Sequence, residues 1–338
     1  MKKIRVGING FGRIGRKTMR LIWEDKQFEL VGINDLTPLE QNAQLIQYDS
    51  VHGRWNHKVT VSDGALNVDG TKVQVFKQRD PVEIPWKQLG VDIVFECTGI
   101  FLKKDDASKH LQAGAKKVIL SGPTKDTNDK VPTFVFGINH EQYDPATADV
   151  VSNASCTTNC LAPVVKVLHE TFKIQRGLMT TIHSYTNDQR ILDLGHSDMR
   201  RMRAAALNMI PTSTGAAKAV TLVIPELKGK LTGMSVRVPT PNVSLVDFVA
   251  DVSRPTTVEE VNDALTRAAE GPLKGLMGVE RAELVSSDFN GCKVSSVIDA
   301  PSTMVCDGTM VKVLSWYDNE TGFTRRMLDL ASYIGSKL

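Results

Sequence analysis

The chain has 338 residues, a length that suits about two domains, each with its own hydrophobic core. Hydrophobic residues make up 41% of the chain and charged residues 23%, a balance typical of globular rather than disordered proteins. The net charge of +3, from 41 basic and 38 acidic residues, is too small to indicate a nucleic-acid or membrane surface.

The cysteines and the apolar segments indicate which classes of protein can be excluded. Five cysteines is an odd number, and their spacing fits neither a zinc site nor a disulfide framework. The sequence contains no recognisable signal peptide and no apolar run long enough to span a bilayer. We therefore predict a reduced, cytoplasmic protein without a metal site.

The first part of the chain alternates short β-branched runs with segments of helical periodicity. Such alternation favours a mostly parallel sheet covered by helices, and we predict a dinucleotide-binding domain of the Rossmann type over residues 1–151. The predicted strands are residues 3–9, 29–34, 91–97 and 116–121, with a hairpin at 59–68 that turns at Asp63-Gly64.

A glycine motif follows the first predicted strand. Gly10, Gly12 and Gly15 are spaced as in dinucleotide-binding turns, in which glycines permit the tight turn, the approach of the pyrophosphate and close helix packing. Asp35 stands 20 residues after Gly15, at the end of the second predicted strand, where a carboxylate can accept ribose hydroxyls. The alternatives are an ordinary strand-to-helix turn and a turn-forming aspartate.

The texture changes after residue 151. A helix is predicted over 156–172, followed by longer alternating strands at 178–185, 231–238, 243–252 and 310–317. We predict an α+β catalytic domain over 152–318 with a mostly antiparallel sheet. The polar stretch 187–203 is too long for an ordinary connection and indicates a binding or interface role. A final helix, about 319–338, is predicted to pack back on the first domain.

Cys156 is the candidate nucleophile, because it falls at the start of the predicted helix, where the helix dipole favours a thiolate. His183, inside a predicted strand, is the candidate base. The alternatives are a small buried cysteine and a structural histidine. The remaining cysteines are interpreted as core residues: Cys97, Cys160, Cys292 and Cys306.

Several blocks along the whole chain resemble the NAD-dependent, phosphorylating glyceraldehyde-3-phosphate dehydrogenase family, in its bacterial form. They are Gly7 to Arg16, Ser152 to Cys160, His183 to Gln189, Pro211 to Lys218, Arg237 to Ser244 and Trp316 to Glu320. The blocks occur in the order of the family. One departure is Gly195, which stands where many bacterial members carry a proline near the cofactor.

The resemblance implies a glycolytic and gluconeogenic enzyme that converts D-glyceraldehyde 3-phosphate to 1,3-bisphosphoglycerate through a thioester on Cys156, with His183 as base and later acid. It implies that NAD is bound by Gly10, Gly12, Arg13, Ile14, Gly15, Asp35, Arg79, Ser121 and Asn319. It implies that substrate and inorganic phosphate are bound by Ser155, Thr157, Thr186, Arg201, Thr214, Gly215 and Arg237.

Two other readings stay open from the sequence. An erythrose-4-phosphate dehydrogenase would share the cysteine but hydrolyse its thioester, and a non-catalytic binding protein would merely keep the fold. The family is homotetrameric, so the resemblance also implies a homotetramer with residues 187–203 at subunit contacts. No nucleic-acid or membrane partner is implied.

Overall fold

The computed structural model describes residues 3–126 and 130–338. The chain forms two compact units. The first comprises Met1–Phe134, His140–Ala154 and Thr324–Leu338, and the second comprises Val135–Asn139 and Ser155–Phe323. No helix in the described ranges is both long enough and apolar enough to cross a bilayer.

The first unit is built on one large sheet. Its strands are β1 (Ile4–Asn9), β2 (Phe28–Asn34), β3 (Tyr48–Asp49), β4 (Gly53–Arg54), β5 (Val59–Ser62), β6 (Ala65–Val68), β7 (Thr71–Phe76), β8 (Ile93–Glu96), β9 (Lys117–Leu120) and β10 (Val150–Ser152). Its helices are α1 (Arg13–Glu24), α2 (Leu39–Gln47), α3 (Trp86–Leu89), α4 (Lys104–Ala107) and α5 (Lys109–Gln112). The sheet order is β10-β9-β8-β1-β2-β7-β6-β5, and β3 pairs with β4.

The order of this sheet reverses at β1, which pairs in parallel with β2 on one side and with β8 on the other. In open sheets of this kind ligands bind at the carboxyl ends of the strands on either side of the reversal. Asp63 and Gly64 both have positive φ between β5 and β6, so the predicted hairpin is confirmed. The predicted parallel sheet is confirmed as well.

The second unit carries a second sheet. Its elements are α6 (Cys156–Phe172), β11 (Ile174–Ser184), β12 (Ile210–Ser213), α7 (Ala216–Val223), β13 (Leu231–Val238), β14 (Ser244–Val252), α8 (Val258–Glu270), β15 (Met277–Glu280), β16 (Ser296–Asp299), β17 (Met304–Cys306) and β18 (Met310–Tyr317). The order is β12-β13-β11-β14-β18-β16-β15, with β17 on β18. Most pairs are antiparallel as predicted, but β11 with β13 and β15 with β16 are parallel.

Helix α6 begins and ends where the sequence predicts. The Ser155 hydroxyl caps it by accepting the Thr158 N–H at 3.0 Å. Apolar side chains along the helix are fully buried, among them Leu161, Val165 and Leu168. Capping and burial together fix the first turn of α6, and Cys156 is its first residue.

The last helix, α9 (Thr321–Gly335), starts in the second unit and continues into the first. Met327, Leu328, Ala331 and Ile334 belong to the main hydrophobic core of the first unit.

Candidate active site

Cys156 and His183 lie side by side although 27 residues separate them in the chain. Helix α6 presents Cys156 at its N-terminus, and β11 carries His183 one residue before its end. The Cys156 Sγ lies 3.6 Å from the His183 Nε2, within the range of a hydrogen bond to sulfur. The arrangement has the geometry of a nucleophile with its base.

A main-chain carbonyl group orients the imidazole of His183. The Ser184 carbonyl oxygen lies 2.7 Å from the His183 Nδ1. The Arg237 Nη1, which only donates, lies farther from Nδ1, at 3.1 Å. Because the closer carbonyl oxygen only accepts, we assign the proton to Nδ1, which leaves the lone pair of Nε2 facing the Cys156 sulfur. Arg237 donates to the same carbonyl oxygen from Nη1 at 3.1 Å. The histidine is therefore held in the tautomer that can take a proton from the thiol.

Burial and a nearby cation set the protonation of the pair. Burial, and then the charge of Arg237, lowers the pKa of His183 to about 3, so the free imidazole is neutral at physiological pH. Burial also raises the pKa of the Cys156 thiol, against the opposing effects of Arg237 and Thr157. The sequence suggested that the helix N-terminus favours a thiolate at Cys156. Burial of the sulfur away from water outweighs that effect. Proton transfer to Nε2 is therefore the step that activates the sulfur.

Tyr317 is a residue of this site to which the sequence assigned no role. It ends β18, is buried, and its ring packs edge-on against His183 with the ring centres 6.0 Å apart. Its hydroxyl lies 2.8 Å from both the Thr157 and the Thr181 hydroxyl oxygens. A buried aromatic residue with a satisfied hydroxyl makes a rigid support for the imidazole.

Arg237 supplies positive charge beside the nucleophile. Its Nη1 donates to the Thr186 hydroxyl at 3.3 Å as well as to the Ser184 carbonyl oxygen. Its buried Nε has no hydrogen-bond partner among the described residues. Burial and then the charge of Arg201 lower its pKa. A buried guanidinium with an unused donor and a second cation nearby is suited to binding an anion.

Arg201, in contrast, is engaged with carboxylates. Its Nη1 lies 2.6 Å from Asp188, its Nε lies 3.6 Å from Asp198, and the same Nε donates to Thr212 at 3.0 Å. The sequence did not identify these partners, which are separated from Arg201 by up to 13 residues. A phosphate at Arg201 would have to share this cation with Asp188.

The other predicted phosphate residues fall into two groups. The Ser155 and Thr157 hydroxyls are occupied by the α6 cap and by Tyr317. Thr214 and Gly215 lie at the N-terminus of α7, where Gly215 is the capping residue and the Thr214 hydroxyl accepts the Ala216 N–H at 3.2 Å. Free N–H groups at such a helix end favour anions.

A separate cavity of about 520 Å³ lies at the carboxyl ends of the strands of the first unit. Its walls include predicted cofactor residues together with residues the sequence did not single out: Asn34, Gln78, Thr98 and Phe101. For Asn34, Thr98 and Phe101 the signal that could have identified them is position, since each ends or closely follows a predicted strand. Gln78 follows β7, a strand that the sequence analysis did not predict. The full lining is Asn9, Gly10, Gly12, Asn34, Asp35, Leu36, Thr37, Gln78, Arg79, Cys97, Thr98, Ile100 and Phe101.

The space around the three glycines of the motif is suited to a dinucleotide. A Cβ on Gly10, where φ is +91°, would lie 2.6 Å from the Thr98 nitrogen, and one on Gly15 would lie 2.0 Å from the Gly10 carbonyl oxygen. Gly12 faces open space within the cavity wall and caps α1. The motif therefore packs strand and helix closely and leaves an open approach to the helix N-terminus.

Asp35 is held as a carboxylate at the cavity wall. The Phe11 N–H donates to Oδ2 at 2.6 Å and the Thr37 N–H to Oδ1 at 2.8 Å. Burial alone would raise the pKa of Asp35, but the hydrogen bonds from Thr37, Phe11 and Asn42 outweigh it and lower the pKa. A charged carboxylate fixed at the cavity wall is suited to ribose hydroxyls, so the cavity fits NAD.

The remaining predicted cofactor residues are placed differently. Arg79 lines the cavity and is exposed. Arg13 pairs with Asp49 at 2.6 Å, and Ile14 packs against the core. Two further positions are fixed by hydrogen bonds. The Ser121 N–H donates to the Glu96 carbonyl oxygen at 3.0 Å, and the Asn319 side-chain oxygen accepts from the hydroxyls of Ser184 at 2.8 Å and Ser244 at 3.0 Å.

One interpretation of the other cysteines is wrong. Cys160 is buried, and Cys97 and Cys292 pack against apolar clusters, as expected. Cys306 is exposed, because β17 is a three-residue strand at the border of the sheet. Within the described ranges no group of ligands suited to a metal ion is found.

Comparison with known proteins covers both sites. Residues 4–104 match the family described as glyceraldehyde 3-phosphate dehydrogenase, NAD binding domain, and residues 155–319 match its C-terminal domain. The glyceraldehyde-3-phosphate dehydrogenase of Geobacillus stearothermophilus is 60% identical over 334 residues, 99% of each chain. Glyceraldehyde-3-phosphate dehydrogenase 1 of Bacillus cereus is 59% identical over 98% of this chain and 99% of its own.

Proposed function

Since the chain belongs to the glyceraldehyde-3-phosphate dehydrogenase family, we propose that Cys156 and His183 carry out its NAD-dependent oxidation of D-glyceraldehyde 3-phosphate to 1,3-bisphosphoglycerate. The observation that carries the assignment is the 3.6 Å contact between the Cys156 Sγ and the His183 Nε2 at the start of a capped helix. The reaction belongs to glycolysis and gluconeogenesis.

The residues divide the chemistry between them. The Cys156 sulfur attacks the aldehyde carbon while His183 Nε2 takes the thiol proton and then gives it to the former carbonyl oxygen, which yields a hemithioacetal and a neutral imidazole. NAD, when bound, supplies the acceptor for the hydride that leaves the hemithioacetal carbon. His183 removes the hydroxyl proton as the thioester forms on Cys156. Inorganic phosphate then displaces the sulfur, and His183 returns a proton to the departing thiolate.

The cations of the second unit serve the two phosphate groups of this reaction. Arg237 binds one of them, a role supported by its unused Nε and by its contacts with His183 and Thr186. Thr214 and Gly215 contribute N–H and hydroxyl donors at the start of α7. Arg201 binds a phosphate in competition with Asp188.

NAD binds in the cavity of the first unit. The support is the open approach at Gly12, the tight packing at Gly10 and Gly15, and the hydrogen-bonded carboxylate of Asp35. Arg79 contributes from the exposed rim. Ile14 and Ser121 act through the backbone and the surrounding packing, and Arg13 acts through its pair with Asp49.

We further propose a homotetramer in the cytoplasm. The stretch between β11 and β12 exposes large apolar side chains, whose exposed fractions reach 87% at Ile191 and 78% at Leu207. Surfaces of this kind mark protein–protein contacts. Light scattering after chromatography measures the mass, and replacement of Ile191 and Leu192 by serine is expected to yield smaller species. An unchanged mass would place the contacts elsewhere.

A coupled assay tests the reaction. NADH formation from glyceraldehyde 3-phosphate is followed with and without inorganic phosphate. Turnover that requires phosphate supports the phosphorylating reaction. Sustained turnover without phosphate, with erythrose 4-phosphate as the better substrate, would instead support the hydrolysing relative. If no NADH forms under any of these conditions, the result would support the non-catalytic binding protein instead.

A further inference from the structure

Three polar residues are fully buried beneath the cavity of the first unit, and the reaction described above does not use them. Glu96 ends β8, His110 lies on α5 and Trp86 begins α3, and each has an exposed fraction of 0%. The His110 Nε2 lies 3.0 Å from Glu96 Oε2, and the Trp86 indole N–H donates to the His110 Nδ1 at 3.0 Å. The three form one continuous hydrogen-bonded chain.

The donors and acceptors fix the protonation of this chain. An indole N–H only donates, so His110 Nδ1 accepts, and the single imidazole proton sits on Nε2 and points at Glu96. Glu96 Oε2 also accepts from the Asn9 amide at 2.6 Å, while Oε1 accepts the N–H and the hydroxyl of Thr98, the N–H at 2.8 Å. Four donors therefore occupy the four lone-pair positions of a carboxylate, and none of the four carries a positive charge.

Two of the residues that donate to Glu96 also line the cavity. Asn9 and Thr98 both line it, and Asn9 Oδ1 accepts from the Asn34 amide at 2.8 Å. Asn34 in turn exchanges two hydrogen bonds with the backbone of Gln78. The Ile100 N–H donates to the Thr98 hydroxyl at 3.0 Å. One buried carboxylate is thus connected by hydrogen bonds to wall residues at the ends of β1 and β2 and in the loops after β7 and β8.

A purely structural role is a poor explanation for this arrangement. Burying a carboxylate among neutral donors costs free energy that an apolar side chain of the same size would not. Such networks are retained where they fix particular groups in a single arrangement. Here the groups that are fixed face a ligand cavity.

We propose that Glu96 is a positioning residue for NAD: held from behind by His110 and Trp86, it keeps Asn9 and Thr98 in the arrangement that the dinucleotide requires. The inference rests on the proposed placement of NAD in this cavity. Glu96 contacts no substrate in this scheme and acts through the side chains that it holds.

The first test is Glu96→Gln, which keeps the shape but turns one acceptor into a donor facing other donors. The Kd of NAD, measured by titration calorimetry on the full protein, is expected to rise about ten-fold or more. The KM of NAD rises in parallel, whereas kcat at saturating NAD and the KM of the aldehyde change by less than about two-fold. An unchanged Kd in the folded variant would overturn the proposal.

A matched control comes from the other end of the same strand. Asp92, which directly precedes β8, is also a buried carboxylate and accepts the Arg5 N–H at 3.0 Å. Asp92→Asn is expected to leave the Kd of NAD unchanged, and equal weakening by both variants would mean that Glu96 serves only the fold. Asp35→Gly separates the two assignments. If it too leaves the Kd unchanged, the cavity itself is wrongly assigned, whereas weakening by Asp35→Gly alone overturns only the role of Glu96.

A double-mutant cycle tests the route of the effect. Thr98→Val removes the hydroxyl that Glu96 holds, so the losses from Glu96→Gln and Thr98→Val should be less than additive if Glu96 acts through Thr98. Fully additive losses would overturn that route. If Glu96→Gln does not fold, Trp86→Phe replaces it, because it frees His110 to leave the required tautomer. A Kd of NAD rising about three-fold is then expected, and no rise would overturn the proposal.

Discussion

The two candidate sites treat charge in opposite ways. In the cavity of the first unit, the carboxylates of Asp35 and Glu96 are held in place by neutral N–H and O–H donors. Around the nucleophile of the second unit, burial and then the charge of Arg237 lower the pKa of His183, and the same charge opposes the rise in the pKa of Cys156 that burial causes. The first site is prepared to accept hydroxyl groups, and the second is prepared to receive anions.

This difference separates binding from chemistry. Carboxylates with fixed donors hold one geometry whether or not a ligand is present, which suits a cofactor that must be placed precisely. A buried arginine with an unused donor is incomplete until an anion arrives. Substitutions in one site should therefore affect cofactor affinity, and substitutions in the other should affect turnover and phosphate recognition.

The largest effect is expected from the nucleophile. Cys156→Ser should lower kcat by about 10⁴-fold or more, because a serine hydroxyl beside a neutral imidazole is a much weaker nucleophile. The Kd of NAD should stay within about two-fold of the original, since the variant leaves the cavity intact. Calorimetry and the NADH assay measure the two quantities. Cys306→Ser is the control and should retain full activity, and a similar loss there would refute the separation.

Removal of the base is expected to have the next largest effect. His183→Asn should lower kcat by about 10²–10⁴-fold. Burial raises the pKa of the Cys156 thiol, so without an imidazole to take its proton the sulfur ionises only above the ordinary thiol range. The rate of alkylation by limiting iodoacetamide at neutral pH should therefore fall and recover only as the pH rises. Mass spectrometry distinguishes label on Cys156 from label on the exposed Cys306, and an unchanged pH profile for Cys156 would exclude His183 as its base.

Arg237 tests whether the second site recognises phosphate. Arg237→Gln should lower kcat/KM for glyceraldehyde 3-phosphate by about 10–100-fold, as expected for loss of charged hydrogen bonds. Unphosphorylated glyceraldehyde should be affected far less. Arg176→Gln is the control, because Arg176 also lies on the sheet but is 81% exposed and paired with Asp251. Equal losses with both aldehydes would assign Arg237 to the fold.

The smallest effect concerns cofactor choice. The carboxylate of Asp35 repels the additional phosphate of NADP, so Asp35→Gly should shift the ratio of kcat/KM for NAD over NADP toward NADP by about ten-fold. Asp25→Gly, outside the cavity, should leave the ratio unchanged. Gly195, where many bacterial members carry proline, is a second position at which this preference can be set. A ratio near one in the original protein would contradict the role of Asp35.

Local patterns account for what the sequence predicted. The tight glycine turn between β1 and α1, the hairpin at Asp63-Gly64 and the bounds of α6 depend on neighbouring residues, and all three are confirmed. The family and the fold class are confirmed as well. The turn, the hairpin and the helix are each specified within a few residues of chain, whereas the family is indicated by blocks along the whole chain.

The features that the sequence analysis did not predict depend on contacts between residues far apart in the chain. Tyr317 hydrogen-bonds to Thr157, 160 residues away in the chain, and Glu96 hydrogen-bonds to Asn9, 87 residues away. No local sequence pattern predicts either pair. The parallel pairing of β11 with β13 depends on the connection between them rather than on the alternation within either strand. Cys306 looked apolar by its neighbours, but its strand lies at the border of the sheet.

The course of the last helix has a consequence for how the protein is made. Met327, Leu328, Ala331 and Ile334 complete the core of the first unit, yet they are synthesised after the whole of the second. Because a nascent chain folds from its N-terminus, the first unit cannot complete its core until the last helix has been synthesised. Until then, part of its apolar interior is exposed. Truncation after Phe323 should therefore leave the first unit far more sensitive to limited proteolysis than in the full chain. Equal protease resistance in both chains would show that the unit closes without its last helix.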